Sequence, residues 1–187
     1  MALETFRSLA DAFPQLTLIL VPRHPERFEE VAHLLDRSGL AWTRRTTMTP
    51  DFRNRSPERP RIFLIDTVGE LGAWWGVASI AFVGGSMGSR GGQNMLEPAG
   101  YGAAVAFGPN TRNFREISDR MIRSNAAVVI HDQEEMTRFV RQTLTDPVRR
   151  NQLGRNAQQL VLSQKGACAK TVSLLTELVE ADVAPTP

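Results

Sequence analysis

The stretch FVGGSMGSRGGQNMLEPAGYGAAVAFGPNTRNF, residues 82–114, decides how this chain is read. Residues 80–83 are apolar and β-prone, the pattern of a buried strand. Five glycines follow, at positions 84, 85, 88, 91 and 92. Asn94 then offers a capping side chain. Glu97 stands three residues on, the spacing of a capping box. A strand that runs into a glycine loop and out into a helix is a ready anion site. Glycine lets the backbone approach a ligand closely, and the unpaired N–H groups and dipole of a helix N-terminus favour negative charge. The expected ligand therefore carries phosphate. No Gly-Lys-Ser/Thr closes the loop, so it is not a P-loop, and its glycines fit the G-x-G-x-x-G dinucleotide fingerprint poorly.

Outward from this stretch the chain alternates strands and helices. Strands are predicted over residues 16–21, 40–43, 61–65, 80–83, 103–107 and 126–130. Helices are predicted over 4–12, 26–37, 69–76, from 94, 113–123, 132–144, 147–162 and 166–179. Pro25 opens the second helix at a first-turn position, and Asp132 with Glu135 behind it opens another. This alternation implies α/β architecture with a doubly wound, Rossmann-like parallel sheet. Ligands of such sheets sit outside the carboxyl ends of the strands. Arg23-His24, Asp66-Thr67, Gly84-Gly85-Ser86 and Gly108-Pro109-Asn110 all follow strand ends and should converge on one edge.

Composition narrows the classes. At 187 residues the chain reads as one domain, 1–187, with 42% hydrophobic and 22% charged residues, ordinary for a globular protein. A formal net charge of +2 makes no case for nucleic acid. The lone cysteine, Cys168, can form no intrachain disulfide. The longest apolar run is far too short to cross a bilayer, so this stretch of chain is expected to be soluble. His33 and His131 lie in no ligand pattern; no metal and no cofactor are expected.

Four segments together carry a family resemblance: LILVPRHPERFEEV (18–31), IDTVGELGAWW (65–75), the glycine loop through Glu97-Pro98, and GPNTRNF (108–114). Their order and spacing resemble the C-terminal, donor-binding domain of 3-deoxy-D-manno-octulosonic acid (Kdo) transferases, which are GT-B glycosyltransferases. The resemblance implies transfer of Kdo from CMP-Kdo to a lipid A precursor, in lipopolysaccharide biosynthesis, at the cytoplasmic face of the bacterial inner membrane. It implies that the acceptor half, the catalytic base and any membrane association belong to an N-terminal domain, so that no catalytic residue is expected here. It further implies that one strand is lacking before the first helix, leaving a sheet edge open. Gln93 and Asn110 depart from the family pattern, where histidines are usual, as does Ala104, where proline is usual.

The resemblance assigns donor contacts to Arg23, His24, Gly84, Gly85, Ser86, Gly91, Gly92, Gln93, Asn94 and Glu97. The residues alone leave alternatives open. Arg23 fits a pair with a neighbouring acid, the Gly-Gly step a plain turn, and Glu97 a capping-box acid instead of a ligand of the donor ribose. Thr67, Gly69 and Glu70 lie where a nucleoside could rest. Arg53, Arg55 and Arg59, in the segment 46–61, read as a solvated loop. The rival functions are a GT-B enzyme using a UDP-sugar (a transferase or an epimerase) and a non-catalytic nucleotide-binding domain.

Overall fold

The computed structural model of the chain describes residues 1–48, 61–164, 171–173 and 175–176. Arg53, Arg55 and Arg59 and most of the last predicted helix lie outside them. In order, the chain forms α1 (Ala2–Leu9), β1 (Leu18–Leu20), α2 (Phe28–Ser38), β2 (Trp42–Arg44), β3 (Ile62–Leu64), α3 (Leu71–Trp75), β4 (Ile80–Val83), α4 (Leu96–Gly100), β5 (Ala104–Phe107), α5 (Arg115–Arg123), β6 (Ala127–Val129), α6 (Gln133–Thr145) and α7 (Pro147–Ser163). Every strand pairing is parallel, as the βα alternation requires.

Among the described residues the strands pair into two three-stranded sheets, ordered β1-β3-β2 and β4-β5-β6, and not into one continuous sheet. β5 is the centre of its sheet, and all four of its residues are buried. Ala104 and Ala106 pack with Ile130, Met136 and Phe139 on one face. Val105 and Phe107 pack with Met95, Ala99 and Met121 on the other. Two covered faces explain the unbroken apolar run. β1 reads equally apolar but stays half-buried, because only β3 pairs with it. The backbone of Leu18 and Leu20 bonds towards β3, so Ile19 presents its N–H and C=O to an open edge. The same alternation on β4 turns Ile80 and Phe82 away from β5. One open edge was expected, and the split between the sheets leaves both β1 and β4 with one.

α1 spans both halves. Phe6 and Ala10 enter the core of the first sheet, Ala2 packs against that of the second, and Thr5 bonds Thr137 of α6 at 3.2 Å. Arg61, just before β3, ties down the chain after α1: its Nη1 donates to the carbonyls of Ala10, Phe13 and Pro14, with the guanidinium over the Phe6 ring. The predicted cap at Asp132 is present, accepting from Glu135 N at 2.8 Å, and Asp146 caps α7 in the same way. α7 lies so close to the turn before β5 that a Cβ on Gly154 would collide with the Gly102 carbonyl. Among the described residues no helix is long and apolar enough to cross a membrane.

Candidate functional site: a glycine loop strapped to its neighbour

β4 ends at Val83, and the loop after it exposes residues 88–90 while Gly91 and Gly92 are buried, the Gly92 N–H donating to Gly85 O at 3.0 Å. Gly85, Gly91 and Gly92 take φ of 75°, 83° and 85°, the left-handed region that favours glycine. Gly91 has a second constraint, since a Cβ there would sit 2.7 Å from Arg112 Cγ and 2.8 Å from the Asn113 amide. Around Gly84 and Gly88 nothing lies within 4 Å, so the loop is open on that side.

The loop is laced to the segment after β5. Ser86 is fully buried; its hydroxyl donates to Val83 O at 2.8 Å and accepts from Gly108 N at 2.7 Å. Asn110 N donates to Ser86 O, and Asn113 N donates to Gly91 O. The Asn113 side chain donates to Arg90 O at 3.0 Å. Ser86 was expected to meet the donor, but its side chain is turned inward and already satisfied. It holds two strand ends together and shapes the loop from beneath. Gln93 backs the turn, its Cγ 3.5 Å from the Cβ position of Gly85. Asn110 sits on the rim with its amide on Met87 O.

The helix start differs from expectation. α4 has only five residues and begins at Leu96, with Met95 in the cap position. Asn94 makes a local turn: its Oδ1 accepts from Leu96 N at 3.1 Å. Its Nδ2 donates to Glu97 Oε1 at 3.2 Å. Glu97 therefore bonds the Asn94 side chain and not its backbone N–H, so the reciprocal capping box does not form. The Glu97 carboxylate is exposed and off the backbone, its other oxygen making no bond among the described residues. A helix this short adds little dipole, so the anion-binding capacity lies mainly in the loop's own N–H groups.

On the first sheet, Arg23 and His24 follow β1 and are exposed. Arg23 has no carboxylate partner among the described residues. His24 is extended, precedes a 3-10 turn at Pro25–Arg27, and has Nδ1 3.8 Å from Glu26 Oε1. Glu30, early in α2, is held below the ordinary carboxylate range first by its bond to Arg27, with Arg90 of the glycine loop also within electrostatic reach. Asp66 does not face this opening: its carboxylate is nearly buried and accepts from the Thr46 backbone and hydroxyl. Glu70 accepts from Arg45 Nε at 2.9 Å. Burial would raise its pKa, but Thr67, Arg45 and Trp74 together bring it lower. Thr67 Oγ1 and the Trp74 and Trp75 indole nitrogens are buried with no hydrogen bond of good geometry.

Beside the loop lies an open cavity of about 570 Å³, lined by Gly88, Ser89, Gly91, Asn110, Arg112 and Arg115 among others. The two arginines were not singled out from sequence. The signal lay in GPNTRNFR, residues 108–115, where Arg112 and Arg115 frame a turn that begins a helix. Phe114, partly buried, packs against the core.

No family model matches the chain. Over 183 residues, 97% of its length, it is 34% identical to 3-deoxy-D-manno-octulosonic acid transferase of Haemophilus influenzae, of which it covers 42%. It is 32% identical to the Bordetella pertussis transferase over 94% of its length and 40% of the relative's. The chain thus spans about two-fifths of the length of these relatives. The crystal structure of the C-terminal CMP-Kdo binding domain of WaaA from Acinetobacter baumannii superposes with a TM-score of 0.75 at 32% identity, covering 86% of this chain and 81% of that one. A match of this coverage, with the same parallel α/β architecture, places the chain in the Kdo transferase family, at the C-terminal half of the GT-B fold.

Proposed function

We propose that residues 1–187 form the donor-binding domain of a Kdo transferase and bind CMP-Kdo. Likeness to a CMP-Kdo binding domain over most of both chains supports the choice of donor. The observation that carries the reading is local: a glycine loop with three left-handed glycines ends beside an exposed carboxylate held clear of the backbone. The N–H groups of the loop 84–94 that are not spent within it, as that of Gly92 is on Gly85 O, take the phosphate. Glu97 accepts from the ribose hydroxyls while Asn94 fixes its position. Arg23 and His24 approach from the other sheet, and Arg23 adds positive charge at the phosphate. Gln93 and Ser86 keep the loop in shape.

In the reaction, an acceptor hydroxyl attacks the anomeric carbon of Kdo with inversion, its proton passes to a base, and CMP leaves with the bonding electron pair. This chain's part is to bind the donor and to stabilise charge on the leaving phosphate with fixed dipoles. The base and the site for the lipid A precursor belong to an N-terminal domain, which also brings the enzyme to the cytoplasmic face of the inner membrane. Calorimetric titration of the chain with CMP, UMP and AMP tests the reading. Selective binding of CMP is expected. Preference for UMP moves the assignment to a UDP-sugar enzyme, and no nucleotide binding refutes it.

A further inference from the structure

We infer that Arg112 and Arg115 form a specificity element that reads the carboxylate of a sugar-acid donor, next to the phosphate but distinct from the phosphate contacts. This rests on the donor reading above.

Arg112 and Arg115 both line the 570 Å³ cavity and are exposed to it and to solvent, and neither side chain has an ion-pair or hydrogen-bond partner among the described residues. Arg27 holds Glu30, Arg44 holds Glu29, and Arg45 holds Glu70; Arg23 and Arg90 also lack an acid partner among the described residues, but they do not line this cavity. No carboxylate lines the cavity. The acid nearest in sequence, Glu116, leans away toward Arg120 and is largely exposed.

Their placement is unfavourable in the empty chain. Arg112 opens the 3-10 turn that leads into α5, and Arg115 is the first residue of that nine-residue helix. Positive charge at a helix N-terminus opposes the helix dipole, and the cap residue Phe114 supplies no side-chain acceptor. Two cations and an uncapped helix start therefore share one side of a cavity with no counter-charge. A bound anion resolves all of these at once.

The position relative to the loop says which anion. Gly91 is the common wall: its backbone closes one side of the cavity, and the Arg112 stem lies across it. Glu97, the proposed ribose ligand, lies six residues further along the chain, outside the cavity lining. With the phosphate on the loop and the ribose toward Glu97, the cavity receives the sugar on the phosphate's other side. In an ulosonic acid the anomeric carbon bears both the phosphate oxygen and the carboxylate. The carboxylate therefore enters with the sugar, a planar two-oxygen group suited to paired guanidinium forks.

The test compares Arg112→Gln/Arg115→Gln with the parent chain, titrated with CMP and with CMP-Kdo. Affinity for CMP-Kdo is expected to fall at least tenfold while that for CMP changes less than threefold. The melting temperature of the ligand-free variant should not fall, since no protein contact is lost. An equal loss for both ligands makes the arginines phosphate ligands and overturns the inference. Unchanged affinity for both makes them solvated surface residues and also overturns it. Failure of the parent to bind CMP strikes instead at the donor reading.

Discussion

Glu97→Gln separates the two roles open to Glu97, because the structure fixes how much each could be worth. In the folded chain the carboxylate makes one exposed contact, from Asn94 Nδ2 at 3.2 Å. Glutamine keeps an oxygen able to accept that bond, and a single exposed neutral bond contributes about 0.5–1.5 kcal/mol at most. For a chain of this size 1 kcal/mol moves the melting temperature by roughly 2–4 °C, so the variant should melt within about 2 °C of the parent. Ribose binding is different. A carboxylate accepts from two hydroxyls at once, whereas an amide offers one acceptor oxygen and an unwanted donor. Losing a charge-assisted bond costs about 1.5–3 kcal/mol, or roughly 10- to 100-fold in affinity. Calorimetry with CMP and a thermal melt on the same preparation measure both quantities. Unchanged CMP affinity would refute the ribose role and leave Glu97 as a partner for Asn94 alone. Asn94→Ala is the companion: it frees the carboxylate to swing and should weaken CMP binding several-fold without altering the charge.

Four further outcomes are expected. Ser86→Ala orphans the buried Gly108 N–H and should lower stability by about 1–3 kcal/mol, read from the urea midpoint. Gly91→Ala forces a side chain into a left-handed conformation against Arg112 and Asn113; it should cost at least about 1 kcal/mol and abolish nucleotide binding as the loop shifts. Glu29, bonded by Arg44, and Glu135, bonded by the His131 backbone, have carboxyls held below the ordinary 4.5, so the stability they give is complete above pH 4.5 and is lost as pH falls through their lower folded values. Glu135→Gln should flatten that acid decline in urea titrations, and an unchanged slope would reject the assignment. Hydrogen exchange should find the Ile19, Ile80 and Phe82 amides open while Val105 is protected; slow exchange at the first three would mean that the edges of β1 and β4 are covered.

The α/β alternation was legible because the strands other than β2 (Trp-Thr-Arg) are short and apolar, and β4 runs over the residues expected, Ile80–Val83. Convergence at the carboxyl ends followed from parallel topology alone. What the sequence could not convey was which polar groups are spent on the protein itself. Ser86 reads like a ligand residue because it comes after two glycines, yet its hydroxyl is consumed between Val83 and Gly108, a partner 22 residues on. Asp66 likewise comes after a strand end but is taken by Thr46. The capping box at Asn94 and Glu97 had the right spacing, but Met95 extends the loop by a residue, and the two side chains bond each other. In each case a partner supplied by a separate element decides between structure and ligand, and local pattern carries no trace of it.

The converse holds for Arg112 and Arg115, which a sequence reading passes over as solvated charge. Their significance comes from subtraction. Once the acids around the site are matched to Arg27, Arg44 and Arg45, these two are the cavity-lining cations without a partner among the described residues, and they stand at the start of a helix that would favour the opposite sign. The glycine loop shows the same economy: its inward-facing groups are satisfied by the segment 108–114 and by the loop itself, while one Glu97 carboxylate oxygen stays exposed and unbonded among the described residues. A site built this way is rigid on its protein side and unsatisfied only toward solvent. That is the arrangement expected of a surface whose last partner is an anionic nucleotide sugar.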